Sequence, residues 1–222
     1  MLEALKEQVL EANLELQRSG LVPLTWGNVS GIDRQAGFIV IKPSGVPYED
    51  LTVENMVVVG LDGRRADGGL SPSTDTPTHL ELYRSFPDIG GVTHTHSIHA
   101  TAFAQACREI PCLGTTHADH FYGPVPVTRV LTTREVDENY EVWTGRVIVE
   151  RMAGVKPLEM PAALVAYHGP FTWGKTAGAS VENSIALEAV AEMALDSLRL
   201  NERINAMPEH ILRKHFTRKH GS

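Results

Sequence analysis

Two histidines placed two residues apart, His94 and His96, are the strongest chemical signal in the sequence. They lie in an apolar segment that is typical of a strand, and side chains two positions apart on a strand point to the same face. Two imidazoles on one face can bind a single metal ion. The pair therefore predicts part of a metal site, although a His-x-His pair also arises by chance in a chain with ten histidines.

A third ligand has to come from elsewhere in the chain, and His168 is the best candidate. It ends an apolar segment and precedes Gly169 and Pro170, which favours a position at the edge of a sheet. Three histidines with an open coordination position are typical of a catalytic metal site. Asp75, at the start of a predicted helix, could be a fourth ligand or a hydrogen-bond partner of a ligand. Spacing alone leaves four other histidines as possible ligands: His79, which we expect on a helix surface, His99, His117 and His120.

Three short segments have the composition of anion-binding loops. They combine a lysine, hydroxyl groups and glycines, and one of them directly precedes a predicted helix, where free N–H groups favour an anion. Each signal is weak by itself, because Ser-Gly and Ser-Thr are common in turns. Beside a metal site, however, the three together suit a phosphorylated substrate. The residues concerned are Gly27, Asn28, Lys42, Ser44, Gly45, Ser73 and Thr74.

A polar and aromatic segment, 115–123, contains a possible acid/base group. Asp119 lies between His117 and His120, and a carboxylate beside histidines can transfer protons. The alternative is a turn aspartate that accepts hydrogen bonds from backbone N–H groups. The residues alone favour this alternative.

Composition excludes several classes of protein. The 222 residues are 42% hydrophobic and 21% charged, which is ordinary for a globular domain. A net charge of −7 argues against non-specific binding to nucleic acid. No run of 18 apolar residues is present and the first residues are charged, so we expect neither a membrane span nor a signal peptide, and a cytoplasmic location. Cys107 and Cys112 form no metal or disulfide motif and are expected to be reduced thiols.

Predicted helices on both sides of a run of strands indicate an α/β sandwich in a single domain, 1–222. A basic tail begins at about residue 209, and its run from Arg213 to His220 is too polar for a core. Arg146–Val149 and Val125–Val127 are short strand candidates. The helix beginning near Thr76 has Thr76 as its expected cap, with capping-box spacing between Thr78 and Glu81. The predicted helices, including the one just described, are 2–20, 76–86, 97–107 and 181–200. The other predicted strands are 37–41, 55–59, 89–96 and 162–167.

These motifs, in this order, resemble the class II aldolase/epimerase family over essentially the whole chain. The His-x-His and HGPF segments mark the wider family. The Thr-Thr-His-Ala-Asp and Ser-x-Asp-Thr-Pro-Thr-His blocks are similar to its sugar-phosphate epimerase branch. The segments that carry the resemblance are TWGNVS (25–30), IKPSG (41–45), STDTPTH (73–79), GVTHTHSIH (91–99), GTTHADHFYG (114–123) and VAYHGPFTWG (165–174).

The resemblance implies a fold, a metal and a set of site residues. The fold would be a single-domain sandwich whose central, largely antiparallel β-sheet is covered by helices. One divalent metal ion per subunit, with zinc as the expected ion, would be held by His94, His96 and His168, with Asp75 as a further ligand. Asp119 would be a catalytic acid/base. The anion-binding residues named above would form the substrate pocket. In a cyclic homotetramer, His215 of the tail would reach the site of a neighbouring subunit and bind substrate there.

The resemblance also implies an activity, the interconversion of L-ribulose 5-phosphate and D-xylulose 5-phosphate in pentose catabolism, such as arabinose catabolism. The route would be retro-aldol cleavage of the C3–C4 bond and re-addition. Such epimerases carry a tyrosine near the C-terminus as the opposing acid/base, whereas no tyrosine follows Tyr167 here. The second proton-transfer group therefore stays open. Two alternatives are a class II sugar-phosphate aldolase and a non-catalytic metal-binding oligomerisation module.

Overall fold

An antiparallel β-sheet of seven strands lies at the centre of the protein, whose computed structural model describes residues 2–221. The strand order is β4-β3-β2-β1-β5-β7-β6, and every neighbouring pair is antiparallel. This topology confirms the predicted fold class. The strands are β1 (Asn28–Asp33), β2 (Phe38–Ile41), β3 (Val57–Gly60), β4 (Arg65–Asp67), β5 (Gly91–His94), β6 (Ala162–Leu164) and β7 (Pro170–Gly174).

Helices cover both faces of the sheet. Along β2 the side chains alternate between two apolar clusters, because successive residues of a strand point to opposite faces. Ile39 and Ile41 belong to the larger cluster, and Val40 belongs to the smaller one beneath the first helix. Within residues 2–221, no helix is both long and apolar enough to cross a membrane. The helices are α1 (Glu3–Arg18), α2 (Thr76–Ser85), α3 (Ile98–Gln105), α4 (Thr115–Ala118), α5 (Thr133–Arg151), α6 (Ala177–Leu200) and α7 (Glu209–His220), with a 3₁₀ turn at Tyr48–Asp50.

The prediction of a strand at Arg146–Val149 is wrong, because these residues lie inside α5. A run of four residues with three apolar side chains does not separate a strand from a buried helical turn. The buried positions Thr144, Val147 and Ile148 follow the three- and four-residue spacing of a helix face. Val125–Val127 is not a strand either, since its two valines form only isolated bridges, to Ile110 and Leu164.

The start of α2 differs in detail from the prediction. Asp75, not Thr76, occupies the cap position, and its side chain makes no capping hydrogen bond. The Thr78 hydroxyl donates to the carbonyl oxygen of Glu141 on α5, at 2.6 Å, so the expected capping box is absent from this helix. Pro77 lies in the first turn, as its fixed φ favours.

The basic tail is an amphipathic helix rather than an unpacked polar segment. Leu212 and Phe216, four residues apart, are buried on the same side of α7. Leu212 joins Cys112 and Ala118 in a small apolar cluster of its own, separate from the two clusters on the sheet. Within the run Arg213–His220, which we expected to be too polar for a core, Phe216 is buried, so that expectation is wrong for this residue.

Candidate active site

Three histidines converge at one end of the central strands. His94 ends β5, His96 follows two residues later, and His168 lies in the turn between β6 and β7. Because β7 pairs with β5, this turn comes beside the end of β5. One ring nitrogen from each histidine lies within 4.8 Å of the others, and the Nε2 atoms of His94 and His96 are 3.1 Å apart. Such a group of donors can hold one metal ion.

The buried His94 ring has a defined orientation. Its Nδ1 lies 2.9 Å from the carbonyl oxygen of Pro170, and the ring stacks on Phe171 at 4.1 Å between centroids. A carbonyl oxygen accepts hydrogen bonds only, so Nδ1 carries a proton, and Nε2 is the nitrogen that faces His96. The hydrogen bond thus directs Nε2 of His94 toward the other rings of the cluster, as the orienting partner of a candidate metal ligand does.

The charge states of the other two histidines also suit metal binding. Burial, followed by the neighbouring His94, lowers the pKa of His96 to about 4. Burial, followed by His94 and His96, lowers the pKa of His168 to about 3. Both rings are therefore neutral at pH 7. Three imidazole donors suit a borderline divalent ion such as Zn²⁺ and leave a coordination position open.

Asp75 lies close to this cluster but is held by a different partner. Its Oδ2 accepts a hydrogen bond of 2.6 Å from Nδ2 of Asn28. Burial opposes ionisation of Asp75, but the imidazoles of His94 and His79, together with the Asn28 amide, outweigh it and lower the pKa of the carboxyl. Asp75 is therefore an anion beside the histidines. It is not part of the group of three whose donor atoms lie within 4.8 Å, and its role as a ligand stays a prediction.

The predicted anion-binding residues come together around one cavity of about 360 Å³. Although they come from three separate parts of the chain, all seven line it, along with two of the histidines and Asp75. The cavity thus joins the candidate phosphate site to the candidate metal site. Its lining includes Gly27, Asn28, Lys42, Ser44, Gly45, Ser73, Thr74, Asp75, His94 and His96.

Backbone hydrogen bonds hold the loops of this cavity in place. Asn28, the first residue of β1, pairs with His94. The N–H of Ser44 donates to Ser71 O at 2.9 Å, and the N–H of Ser73 donates to Lys42 O at 3.0 Å. Gly27 adopts φ +82, and a Cβ there would lie 2.8 Å from the carbonyl oxygen of His94. A side chain at this position would therefore push the loop away from the three-histidine cluster.

Lys42 brings a positive charge into the cavity wall. The residue is 2% exposed, its Nζ donates to Val46 O at 2.8 Å, and the ammonium lies 4.9 Å from the centre of the Tyr48 ring. Burial lowers the pKa of Lys42 to about 8. Since a buried cation is stabilised by an opposite charge, this wall favours an anionic ligand.

Asp119 and His215 contact each other but do not line the cavity. Oδ1 of Asp119 accepts hydrogen bonds from Nδ1 of His215 at 3.1 Å and from Arg218 at 3.2 Å. Nε2 of His220 also donates to the Asp119 carbonyl oxygen at 2.9 Å. Burial opposes ionisation of Asp119, but His215 and Arg218 outweigh it and lower the pKa of this carboxyl. In one chain, therefore, α4 and α7 form a second polar cluster, outside the lining of the cavity.

The rival histidines have other partners. His79 is fully buried and its Nδ1 lies 2.7 Å from Ser30 Oγ, so the expected position on a helix surface is wrong. Nδ1 of His99 binds Glu188 at 2.9 Å, and Nε2 of His117 donates to Gly123 O at 2.8 Å. Among the described residues, the three-histidine group contains none of these.

Two tyrosines that sequence reasoning missed contact the site. The hydroxyl of Tyr48 donates to the carbonyl oxygens of Trp26 and Gly27 at 3.1 and 3.0 Å and so fixes the Gly27 loop. The hydroxyl of Tyr140 lies 3.2 Å from Nδ1 of His168. Neither residue belongs to a local motif, and only the tertiary structure brings them to the site.

A profile of the family described as Class II Aldolase and Adducin N-terminal domain matches residues 7–195, and the chain belongs to this family. L-ribulose-5-phosphate 4-epimerase UlaF of Salmonella paratyphi C (strain RKS4594) is 53% identical to it over 99% of this chain and 96% of the relative. The UlaF epimerase of Salmonella typhi is 52% identical over the same shares. These relatives confirm the predicted resemblance and the prediction of an enzyme.

Solved structures support the fold independently. An L-fuculose 1-phosphate aldolase superposes with a TM-score of 0.81 at 22% identity, covering 97% of this chain and 95% of that one. YgbL from Klebsiella pneumoniae gives a TM-score of 0.74 at 24% identity, covering 96% and 99%. Such low identities establish a shared fold and leave the substrate to be argued from the site.

Proposed function

We propose that the protein interconverts L-ribulose 5-phosphate and D-xylulose 5-phosphate in a metal-dependent reaction. The observation that carries this proposal is that two residues of the three-histidine cluster line the same cavity as the candidate anion-binding residues. It is supported by 53% identity, over 99% of the chain, to a relative named for this epimerisation. The proposed setting is pentose catabolism in the cytoplasm.

A divalent metal ion, zinc by the character of the donors, is proposed to bind His94, His96 and His168, with Asp75 as a further ligand. When bound, such an ion stabilises as a Lewis acid the negative charge that develops when the C3–C4 bond of the sugar breaks. The three-histidine cluster is open toward the cavity on one side. The cavity reaches His94 and His96 directly, so a ligand in it can lie beside the metal site.

The chemistry of the substrate explains why a carbon–carbon bond must break and why the phosphate must stay bound while it is broken. C4 has no acidic hydrogen, because the ketone is at C2, and inversion therefore proceeds by bond cleavage. The two fragments are the enediolate of dihydroxyacetone and glycolaldehyde phosphate, and re-addition to the other face of the aldehyde inverts C4. Lys42, the hydroxyls of Ser44, Ser73 and Thr74, and the loop at Gly45 would bind the phosphate and keep the aldehyde from leaving.

Proton transfer at the C4 oxygen is assigned to Asp119, with His215 as its partner. This oxygen loses its proton when the bond breaks and regains one on re-addition. Because the Asp119 carboxyl is ionised, one of its oxygens can take that proton. Asp119 and His215 do not line the cavity of their own chain. We therefore propose a homotetramer in which they complete the site of a neighbouring subunit, while the second acid/base stays unassigned.

The test is incubation of the metal-loaded protein with L-ribulose 5-phosphate, followed by separation of the sugar phosphates. We expect D-xylulose 5-phosphate. Net release of dihydroxyacetone and glycolaldehyde phosphate would instead indicate an aldolase, and bound metal without turnover would indicate a non-catalytic module. His94→Asn should lose both metal and activity, whereas the control His210→Asn, an exposed histidine on α7, should lose neither.

A further inference from the structure

A break in α5 brings Tyr140 to the three-histidine cluster. Asn139 has φ −170 and ψ 94, which are not helical, and its Oδ1 accepts a hydrogen bond of 3.1 Å from the N–H of Val142. This side chain therefore caps a new helical segment in the middle of α5. The Thr144 hydroxyl donates to the carbonyl oxygen of Tyr140 at 2.9 Å and anchors the first turn of that segment. These hydrogen bonds therefore fix the backbone position of Tyr140.

The side chain of Tyr140 contacts the outer edge of one candidate metal ligand. Its hydroxyl oxygen lies 3.2 Å from Nδ1 of His168, and the two ring centroids are 5.9 Å apart with 38° between the planes. Because Nδ1 faces this hydroxyl, Nε2 is the nitrogen that remains for an ion.

The protonation of His168 depends on which atom donates in this hydrogen bond. A histidine that binds a metal through Nε2 carries its proton on Nδ1 and donates it. The phenolic oxygen of Tyr140 would then be the acceptor. For His94, the acceptor of the Nδ1–H hydrogen bond is the backbone carbonyl of Pro170, which a side-chain substitution does not remove. His168 depends on a side chain, so its orientation can be tested by mutation.

We propose that Tyr140 is a positioning residue, which holds the His168 ring and its Nδ1–H tautomer so that Nε2 points at the metal. The inference rests on the proposed metal-binding role of the three histidines. It adds a residue more than 25 positions from His168 in sequence, located outside every motif that carries the family resemblance. The role is indirect, since Tyr140 acts through His168.

The experiment compares metal affinity in the wild type, Tyr140→Phe and the control Tyr167→Phe. Tyr167 directly precedes His168 and is also exposed, but the neighbour that raises the pKa of its hydroxyl is Cys107. Loss of a hydrogen bond that orients a metal ligand weakens metal binding by about 10- to 100-fold. We expect a loss of this size in Zn²⁺ affinity, measured by chelator competition, for Tyr140→Phe alone. Its Co²⁺-loaded form should also show a changed visible absorption spectrum, since the His168 ligand is less well oriented.

The outcomes separate this inference from the proposed function. If the wild type binds no metal, the metal centre itself is refuted. If the wild type binds and Tyr140→Phe binds equally well, with an unchanged Co²⁺ spectrum, the positioning role is refuted. Urea unfolding of the metal-free proteins completes the test, because a loss of affinity matched by an equal loss of metal-free stability would make Tyr140 a structural contact only. We expect the metal-free stabilities to agree, since the Tyr140 side chain is 36% exposed.

Discussion

At the scale of single residues, Lys42 has the clearest electrostatic consequence. Its ammonium is buried beside a carbonyl oxygen and an aromatic ring, and burial brings its pKa down to about 8. The second pKa of a phosphate monoester is about 6. Above pH 7, a bound substrate phosphate is therefore a dianion. Of the two groups, only Lys42 changes its charge as the pH rises further.

We expect the KM for L-ribulose 5-phosphate to rise as the pH increases through about 8, because Lys42 loses its charge there. Lys42→Met should show a high KM without this rise. Lys6→Met is the matched control, since Lys6 is also buried but pairs with Asp67 at 3.1 Å, and it should keep the wild-type profile. A wild-type KM that is flat across this range would show that Lys42 does not contact the phosphate.

Stability should change in the opposite direction, which excludes unfolding as the cause. Lysine in the unfolded chain keeps its proton up to its ordinary pKa of 10.5, whereas folded Lys42 releases it near pH 8. Between these values the unfolded state binds more protons, so the Lys42 contribution to the free energy of unfolding rises with pH.

At the scale of elements, α6 supports the segment that carries the His-x-His pair. That segment runs directly into α3, whose cap residue Ser97 makes no capping side-chain bond. The carboxylate of Glu188 on α6 accepts hydrogen bonds from the N–H groups of His99 and Ala100 at 2.8 and 3.0 Å. The long helix thus caps the short one and holds the end of β5 at the site.

Glu188→Gln should lower the free energy of unfolding at pH 7 by about 1 kcal/mol, as the loss of a charged helix cap does. Burial opposes ionisation of Glu188, but the N–H groups of Ala100 and His99 outweigh it and lower its pKa below the ordinary 4.5. A lowered folded pKa stabilises the protein above that value, and the benefit is lost as the pH falls through the folded pKa. The difference between variant and wild type should therefore shrink below pH 4.5 in urea titrations.

The matched control is Glu192→Gln, which removes an exposed carboxylate one turn further along α6. It should leave the free energy of unfolding close to the wild-type value at every pH. An equal effect of both substitutions would mean that the charge of α6, and not the cap of α3, causes the loss.

At the scale of the whole molecule, the residues of the proposed site lie in two separate clusters. The histidines and the anion-binding loops surround one cavity, while Asp119, His215 and Arg218 form a cluster between α4 and α7. In the proposed oligomer, each complete site takes one cluster from each of two copies. Variants in different clusters should then complement each other.

Mixed oligomers of His94→Asn and Asp119→Asn subunits should regain activity, although each variant alone is nearly inactive. Random mixing in a ring places an intact metal cluster beside an intact Asp119 cluster at about a quarter of the sites. Loss of one general acid/base costs about 10²- to 10⁴-fold, so this recovery is readily measured by D-xylulose 5-phosphate formation. Separately purified variants mixed without subunit exchange are the control, and an absence of recovery in verified mixed oligomers would refute the shared site.

The sequence by itself determined the local features of this protein. His94 and His96 share one face because strand geometry alternates side chains. The candidate anion-binding residues are recognisable because glycine, hydroxyl and lysine side chains have local roles. The order of the motifs along the chain resembled a family, and this resemblance implied an antiparallel sheet. The first two inferences depend on residues that are near in sequence, whereas the resemblance depends on the order of motifs along the whole chain.

The tertiary structure decided which distant residues meet. The order of β1, β5 and β7 places His168 beside His94, and the break in α5 brings Tyr140 to His168. Local periodicity did not reveal that Arg146–Val149 is helical or that α7 packs through Leu212 and Phe216. It also did not separate Asp119 from the cavity. The physical reason is that burial and long-range hydrogen bonds depend on how the strands and helices pack, whereas a short segment of sequence records only its own propensities.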